Sequence, residues 1–407
     1  MRTGVYYMEG RLVKEAVAFM TSDKKEQALK RTVIFSVLKS HGGAKLTIDE
    51  KEPTALPARL ASSFRYAAEQ CYKSGQTGLT LNRQSCGGAL GALVLRADAQ
   101  EARADGKSVA LSGIETVVVF LKGKLRKGVG PLDIALSILA ATKKSGLLNN
   151  KILEFVGGGV SALSMEYRLA VDKFIRASEC LATVWETDEK TQEFFVAHGR
   201  AGDYKELKAE QPAYYDGGVS VDLSRVEPMI ALPYLKTNIY ELKDFLSRPE
   251  ELLRRAEEAC EKTTGEKVDL LSAFREGKVF AGGAAVPEAD YETAAEVAEI
   301  LRGKGVGKGA YFVRLSPASL PVYKCLAENG YLSLLAAEGV SVNAPDDDMS
   351  KSDSLVVYHG VEEGGFLMDA RSLAATALNG GAIASALGAE YVKRIKKYKY
   401  DGEVYSR

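Results

Sequence analysis

The residues of this chain whose types invite chemistry are three histidines, five cysteines and one acidic turn. His41, His198 and His359 lie far apart and form no HxxxH or HExxH pair, so each reads either as a lone acid, base or ligand or as a solvated side chain. Cys71, Cys86, Cys180, Cys260 and Cys325 are scattered and odd in number, with no CxxC among them. That spacing suggests neither a disulfide framework nor a zinc knuckle, and leaves reduced thiols of a cytosolic protein as the plain reading. Asp346, Asp347 and Asp348, followed by Ser350 and Asp353, offer hard oxygen ligands to a divalent cation. Their spacing is not that of an EF-hand, so a solvated acidic turn after Pro345 competes with the metal reading. Glycine turns at Gly87-Gly88, Gly157 to Gly159 and Gly282-Gly283 present free N–H groups ahead of helices. None carries a dinucleotide or P-loop fingerprint, and tight strand-to-helix connections explain them equally well. Glu166 and Arg168, in SMEYR, are charged residues on an otherwise apolar helix and read as a buried ion pair, structural or functional.

Around these residues, helix and strand signals alternate along the chain, which favours α/β layers. Residues 11–40 and 56–74 read as amphipathic helices. Thr116 to Leu121 is β-branched and apolar on both faces, a buried strand. Pro131 opens the apolar helix LDIALSILAATKKSG, which Gly146 closes. A second strand, Ile152 to Val156, runs through the glycines into the helix SALSMEYRLAVDKFIRASE. The charged stretches 186–212 and 236–270 read as surface helices and linkers. Beyond them KVFAGGA is a strand and turn, YETAAEVAEILRGKG a helix, GAYFVRLSP a strand and SLPVYKCLAENG a helix. A last helix is expected from Ala382, with Lys393, Arg394, Lys396, Lys397 and Lys399 complementing the dipole at its end.

The 407 residues allow two or three domains. With 54 basic and 54 acidic residues, the chain lacks the electrostatic footprint of a nucleic-acid binder. No window reaches the length of a membrane span, and the charged N-terminus has no signal-peptide core. A cytoplasmic protein is the expectation, without membrane or nucleic-acid partner.

A series of segments resembles the large subunit of isopropylmalate dehydratase and its aconitase relatives. LEFVGGGVSALSMEYRLAVDKF (153–174) is similar to the family's EF-x-G stretch leading into LSMEGR. GGALGAL (87–93) resembles HGAFGAL, and residues 117–140 resemble the strand and GVTAKD helix. YYDGGVSVDLSRVEPMIA (214–231), KVFAGGA (278–284) and PASLPVYKCLAENG (317–330) follow in family order. The likeness runs from about residue 56 to 390, with a shortened N-terminus. It implies an aconitase-like large subunit of stacked three-layer α/β/α domains with mixed sheets and no swivel domain. The expected divisions are 1–130, 131–275 and 276–407.

The resemblance also says where this chain departs. Family members hold a 4Fe–4S cluster on three cysteines and leave one iron free as a Lewis acid. The GSCTN motif has become Gly282-Gly283-Ala284-Ala285-Val286, which puts Ala284 at the first ligand position. The PGCSxC loop has become APDDDMS, which puts Asp347 and Ser350 at the other two. Those side chains supply no thiolate, so the cluster is expected to be absent. DSHT corresponds to Leu81-Asn82-Arg83-Gln84, and the glutamate of the NMxxE segment to Ala177. The arginine-bearing NRNFEGR segment, due just before Arg371, is replaced by His359 to Gly365.

Two functions follow from this pattern. The first is a hydro-lyase or isomerase of small di- or tricarboxylic acids. Asn82, Arg83 and Gln84 would bind substrate, with Arg83 gripping a carboxylate bidentately. Arg83, Ser85 and Cys86 would be catalytic, and Asp346, Asp347, Asp348 and Ser350 would hold a divalent metal. The alternative is a catalytically inactive binding or assembly subunit for a hydratase. Either reading admits a separate small swivel subunit or a homo-oligomer as partner.

Overall fold

A computed structural model describes residues 4–15, 21–40, 45–46, 94–95, 109–110, 115–149, 151–176, 180, 182–197, 201–234, 238–306, 311–344, 356–358, 365–391, 395–401 and 404. These form two compact units, neither contiguous in sequence: Met1–Leu125 with Ala141–Ser224, and Arg126–Ala140 with Arg225–Arg407.

The first unit opens on a hairpin, β1 (Val5–Met8) against β2 (Arg11–Lys14), in place of the amphipathic helix expected from residue 11. Glu9 and Gly10 both take positive φ, 50° and 68°, which suits a two-residue hairpin turn. The helices of this region are Ser22–Leu29 and Val33–Ser40. The expected helix 56–74 lies outside the described residues. A five-stranded sheet follows, built from β3 (Val94–Leu95), β4 (Thr116–Lys122), β5 (Ile152–Val156) and β6 (Ala182–Trp185). β7 (Ala213–Tyr215) pairs with β1, while β8 (Gly217–Asp222) completes the five-stranded sheet. The sheet order is β8-β4-β5-β6-β3, parallel except at β3. Burial explains the strand sequences: Val117, Val118, Val119 and Leu121 are wholly inaccessible, as a parallel sheet covered on both faces requires. Phe155 stacks on Trp185 at 3.9 Å between centroids, and Trp185 Nε1 donates to Asp172 at 2.7 Å.

The turn after β5 needs its glycine. Gly157 has φ 98°, and a Cβ there would stand 2.6 Å from the Leu121 carbonyl oxygen. Helix Met165–Arg176 follows, its N-terminal amide at Tyr167 accepted by Ser164 Oγ.

The second unit carries a seven-stranded mixed sheet of β9 (Met229–Ala231), β10 (Ile239–Glu241), β11 (Gly283–Ala289), β12 (Phe312–Pro317), β13 (Val340–Val342), β14 (Val356–Tyr358) and β15 (Phe366–Met368). Its order is β10-β9-β15-β14-β11-β12-β13, with β9 antiparallel to both neighbours and the rest parallel. Helices Tyr291–Leu301, Leu320–Glu328 and Ala370–Leu378 form where the sequence places helices or leaves them open, each with a side-chain N-cap: Asp290, Ser319 and Asp369. The charged stretch 236–270 contains the amphipathic helix Pro249–Thr264, which buries Leu252, Leu253, Ala256, Ala259 and Cys260.

No helix starts at Ala382. Gly381 and Gly388 have positive φ, and the backbone amides of Ile383, Ala384 and Ala386 donate to Val279, Thr376 and Ser372. With those donors spent on other elements, an i to i−4 ladder cannot form. Of the basic run, Lys396 Nζ donates to the Asn329 carbonyl at 3.0 Å, while 393 and 394 lie outside the described residues.

Candidate functional site

Position 284 sits inside β11, registered against Val313 of β12 and Val357 of β14. The Ala284 side chain has no accessible surface and packs in the main core of the second unit. Period-two alternation turns Ala285 to the opposite face, where it packs with Val356, Phe312 and Leu367. A Cβ on Gly283 would collide with the Phe312 ring. Ala284 therefore offers neither a donor atom nor an open surface to a metal centre, and this position does not fit an iron–sulfur cluster. Among the described residues, no three His, Cys, Asp or Glu side chains gather in a way that could hold a metal ion. Cys180, Cys260 and Cys325 are all buried.

Asn82, Arg83, Gln84, Ser85 and Cys86 lie outside the described residues, as do Asp346, Asp347, Asp348, Ser350, His41, His198 and His359. What the structure brings together are three buried charge centres, of which only the SMEYR arginine is singled out by its motif.

In the second unit, Asp133 on the apolar helix Pro131–Thr142 accepts from Gly130 N at 2.9 Å and Met229 N at 2.8 Å. Asp369 accepts from Leu132 N at 3.2 Å and from Arg371 Nη1 at 2.9 Å, and Arg371 Nε donates to Glu296. All four side chains are essentially inaccessible to solvent. Burial, reinforced by the neighbouring Asp369 charge, pushes the Asp133 carboxyl well above its ordinary range. Gly130 leaves room for this cluster, since a Cβ there would strike the Asp369 carboxylate.

In the first unit, Arg168 is wholly buried and forks onto Asp188, with Nη1 reaching Oδ1 at 3.0 Å and Nη2 bonded to Oδ2. Its other bonds go to Thr191 Oγ1 at 3.2 Å and the Leu163 carbonyl at 3.3 Å. Burial alone would raise the Asp188 carboxyl, but the guanidinium outweighs it and holds the group below its ordinary value. Asp188 and Thr191 begin the helix Glu189–Ala197, so Arg168 fastens one helix to the start of the next. This describes a structural tie, and Asp188 is the carboxylate that supplies it.

Glu154, the one acid in ILEFV, is inaccessible on β5. It accepts from Val33 N and Ile34 N, each at 2.9 Å, and from Tyr215 Oη at 2.6 Å. Burial pushes its carboxyl up to about 7 despite those three donors, and the charge of Glu186 adds to the rise. Glu186 itself holds the glycine turn through Gly157 N at 3.1 Å and the 209 loop through Ala209 N at 3.1 Å. A charged residue within an apolar strand or helix is the sequence signal for both Glu154 and Asp133.

The family model described as "Aconitase family (aconitate hydratase)" matches residues 84–346. The chain belongs to the aconitase family. Among curated relatives of this aconitase-family chain, the 3-isopropylmalate dehydratase large subunit 1 of Thermotoga maritima is 33% identical over 130 residues, covering 32% of this chain and 31% of that protein. The 3-isopropylmalate dehydratase large subunit of Elusimicrobium minutum is 26% identical over 282 residues, covering 68% and 60%. The 2,3-dimethylmalate dehydratase large subunit of Eubacterium barkeri is 29% identical over 225 residues, covering 55% and 46%. The chain thus spans between about a third and three fifths of the length of these relatives. A crystal structure of Thermococcus kodakaraensis aconitase X in its holo-form aligns with 73% of this chain and 61% of its own, at 13% identity and a TM-score of 0.35. The mixed α/β architecture agrees with the fold that the family resemblance implies. Among the described residues, no helix is long and apolar enough to cross a membrane.

Proposed function

We propose that this aconitase-family chain works without a 4Fe–4S cluster and keeps the binding of small di- or tricarboxylic acids characteristic of a hydro-lyase or isomerase ancestry. The observation that supports the reading is Ala284: the residue that the family resemblance aligns with the first cluster ligand is a donorless side chain buried in a strand. Asp347 and Ser350 at the other two positions bring hard oxygen in place of sulfur, a set suited to a divalent cation together with Asp346 and Asp348. Arg83 is the proposed carboxylate clamp, with Asn82 and Gln84 as hydrogen-bonding neighbours. Ser85 and Cys86 are the proposed groups for proton transfer or nucleophilic attack. The relatives' designation as large subunits supports a separate small subunit as partner. Scattered cysteines without a CxxC pair are consistent with a reducing, cytoplasmic setting.

A thermal-shift screen of the intact chain against small di- and tricarboxylates tests the retained pocket. A ligand near a hundred times its Kd is expected to raise Tm by about 5 °C, and Arg83→Ala to abolish the rise. Stabilisation by no acid would overturn the carboxylate site and favour the binding or assembly subunit instead.

A further inference from the structure

The sequence CLAENGYLSLL turns one helix into the next at Asn329 and Gly330. Helix Leu320–Glu328 ends there, Gly330 takes φ 80°, and helix Tyr331–Ala337 begins. The junction gathers side chains almost closed to solvent: Cys325, Tyr331 and, from the start of helix Tyr291–Leu301, Tyr291. Asn329 Nδ2 ties them by donating to Tyr291 Oη at 2.9 Å and to Cys325 Sγ at 3.3 Å. The rings of Tyr291 and Tyr331 meet edge to face with centroids 6.0 Å apart.

Residues 395–401 (IKKYKYD) lie across this junction. Lys396 N donates to Tyr331 Oη at 3.1 Å, and Lys399 N donates to Cys325 Sγ at 3.4 Å. The Tyr398 ring stands 5.5 Å from that of Tyr291, Lys396 Nζ reaches the Asn329 carbonyl at 3.0 Å, and Asp401 pairs with Lys324. The backbone of 395–401 belongs to no helix or strand, so these two amides are accepted by side chains of the junction and not by a ladder.

Cover and covered differ in a way that decides how the junction opens. Ile395, Tyr398, Tyr400 and Asp401 are half-buried and Lys396, Lys397 and Lys399 exposed, so none of the seven residues is itself buried. Tyr291, Cys325 and Tyr331 beneath them belong to the main core of the second unit. The Lys324–Asp401 pair leaves about a third of each side chain in water, a setting in which ion pairs contribute little. Lifting the segment gives its amides and ammonium groups to water and parts only the contacts of Ile395 and Tyr398 from the core. Reaching Cys325 by any other route means parting packed helices, which costs far more.

We propose that residues 395–401 are a releasable strap: the segment leaves the junction as a unit while the helices and sheet beneath stay folded. Its release bares the Cys325 sulfur and opens a groove beside Tyr291 and Tyr331, which the chain fills itself in the closed state. The strap is separate from the carboxylate site proposed above and does not depend on it.

Labelling of the full chain with N-ethylmaleimide, read by peptide mass mapping, follows the release. Cys260, buried in helix Pro249–Thr264 of the same unit, reports whether a variant has loosened that unit as a whole. At low reagent concentration, Cys325 labelling is expected to depend only weakly on urea below the unfolding transition, because release exposes little surface. Tyr398→Ala is expected to speed Cys325 labelling about tenfold and leave Cys260 unchanged. Asp401→Asn, a milder change, is expected to speed it about twofold. A Cys325 rate that climbs with urea as steeply as global unfolding would overturn the proposal, since the sulfur would then be reached only when the unit unfolds. A Cys325 rate that neither variant moves would overturn it as well. Should Tyr398→Ala speed both cysteines alike, Asp401→Asn decides: faster Cys325 with unchanged Cys260 supports the strap, and any other result overturns it.

Discussion

Arg371→Met is expected to lower the stability of the protein by about 3–5 kcal/mol, read by urea unfolding at neutral pH. The side chains are similar in length, so little packing volume is lost. What disappears is the guanidinium that binds both Asp369 and Glu296 in a place water does not reach. Removing one partner of a buried ionic cluster costs far more than the pair contributes relative to an apolar replacement, because the acids keep their burial and lose their charge partner. The damage would spread through backbone that the cluster ties: Asp369 holds Leu132 N and caps helix Ala370–Leu378, while its neighbour Asp133 joins Gly130 to Met229. A loss under about 1 kcal/mol would show that the cluster is not what secures this part of the second unit.

Arg168→Ala is expected to cost a similar 3–5 kcal/mol, through the first unit. Arg168 forks onto Asp188, bonds Thr191 and is closed to solvent, so truncation leaves a cavity as well as a bereft carboxylate. Because the guanidinium holds the Asp188 carboxyl below its ordinary 3.8, the stabilisation is present above that value and fades as pH falls. The gap between the native and variant unfolding curves should therefore narrow in acid, leaving the cost of the cavity. A variant of unchanged stability that had lost only ligand binding would instead make Arg168 a functional residue of the SMEYR motif.

The parts of the fold that read clearly from sequence are those where one physical demand dominates. Thr116–Lys122 is apolar almost without a break, and only a strand covered on both faces needs that. Pro131 starts a helix whose apolar length has no other use. The hairpin Val5–Lys14 is obscured because Arg11 to Lys14, taken with the helical residues beyond, fits a helical period, while the signal for the turn rests on two residues, Glu9 and Gly10. The segment after Ala382 has helix-compatible composition, yet its amides are claimed by Val279, Thr376 and Ser372, partners that no local pattern reveals.

The same division holds for the site. The proposed loss of sulfur at 284 rests on a single letter read against the motif around it, and burial in β11 adds that the position also lacks an open face. Asp133 and Glu154 are visible in sequence as charges inside apolar segments, but Asp133 near a helix start looks like an ordinary first-turn acid. Their partners, Met229 for one and Val33, Ile34 and Tyr215 for the other, are 96 residues away in the first case and 61 to 121 in the second. Only folding brings them together, and with them the burial that gives each acid its altered affinity for a proton.

On the proposed reading, this aconitase-family chain carries, where its relatives hold cluster ligands, side chains that cannot hold one. Iron and acid-labile sulfide analysis of the chain purified without oxygen, with its visible spectrum, addresses that claim directly. A colourless protein with no stoichiometric iron or sulfide is the expected result. A brown protein carrying about four irons and four sulfides per chain would contradict it.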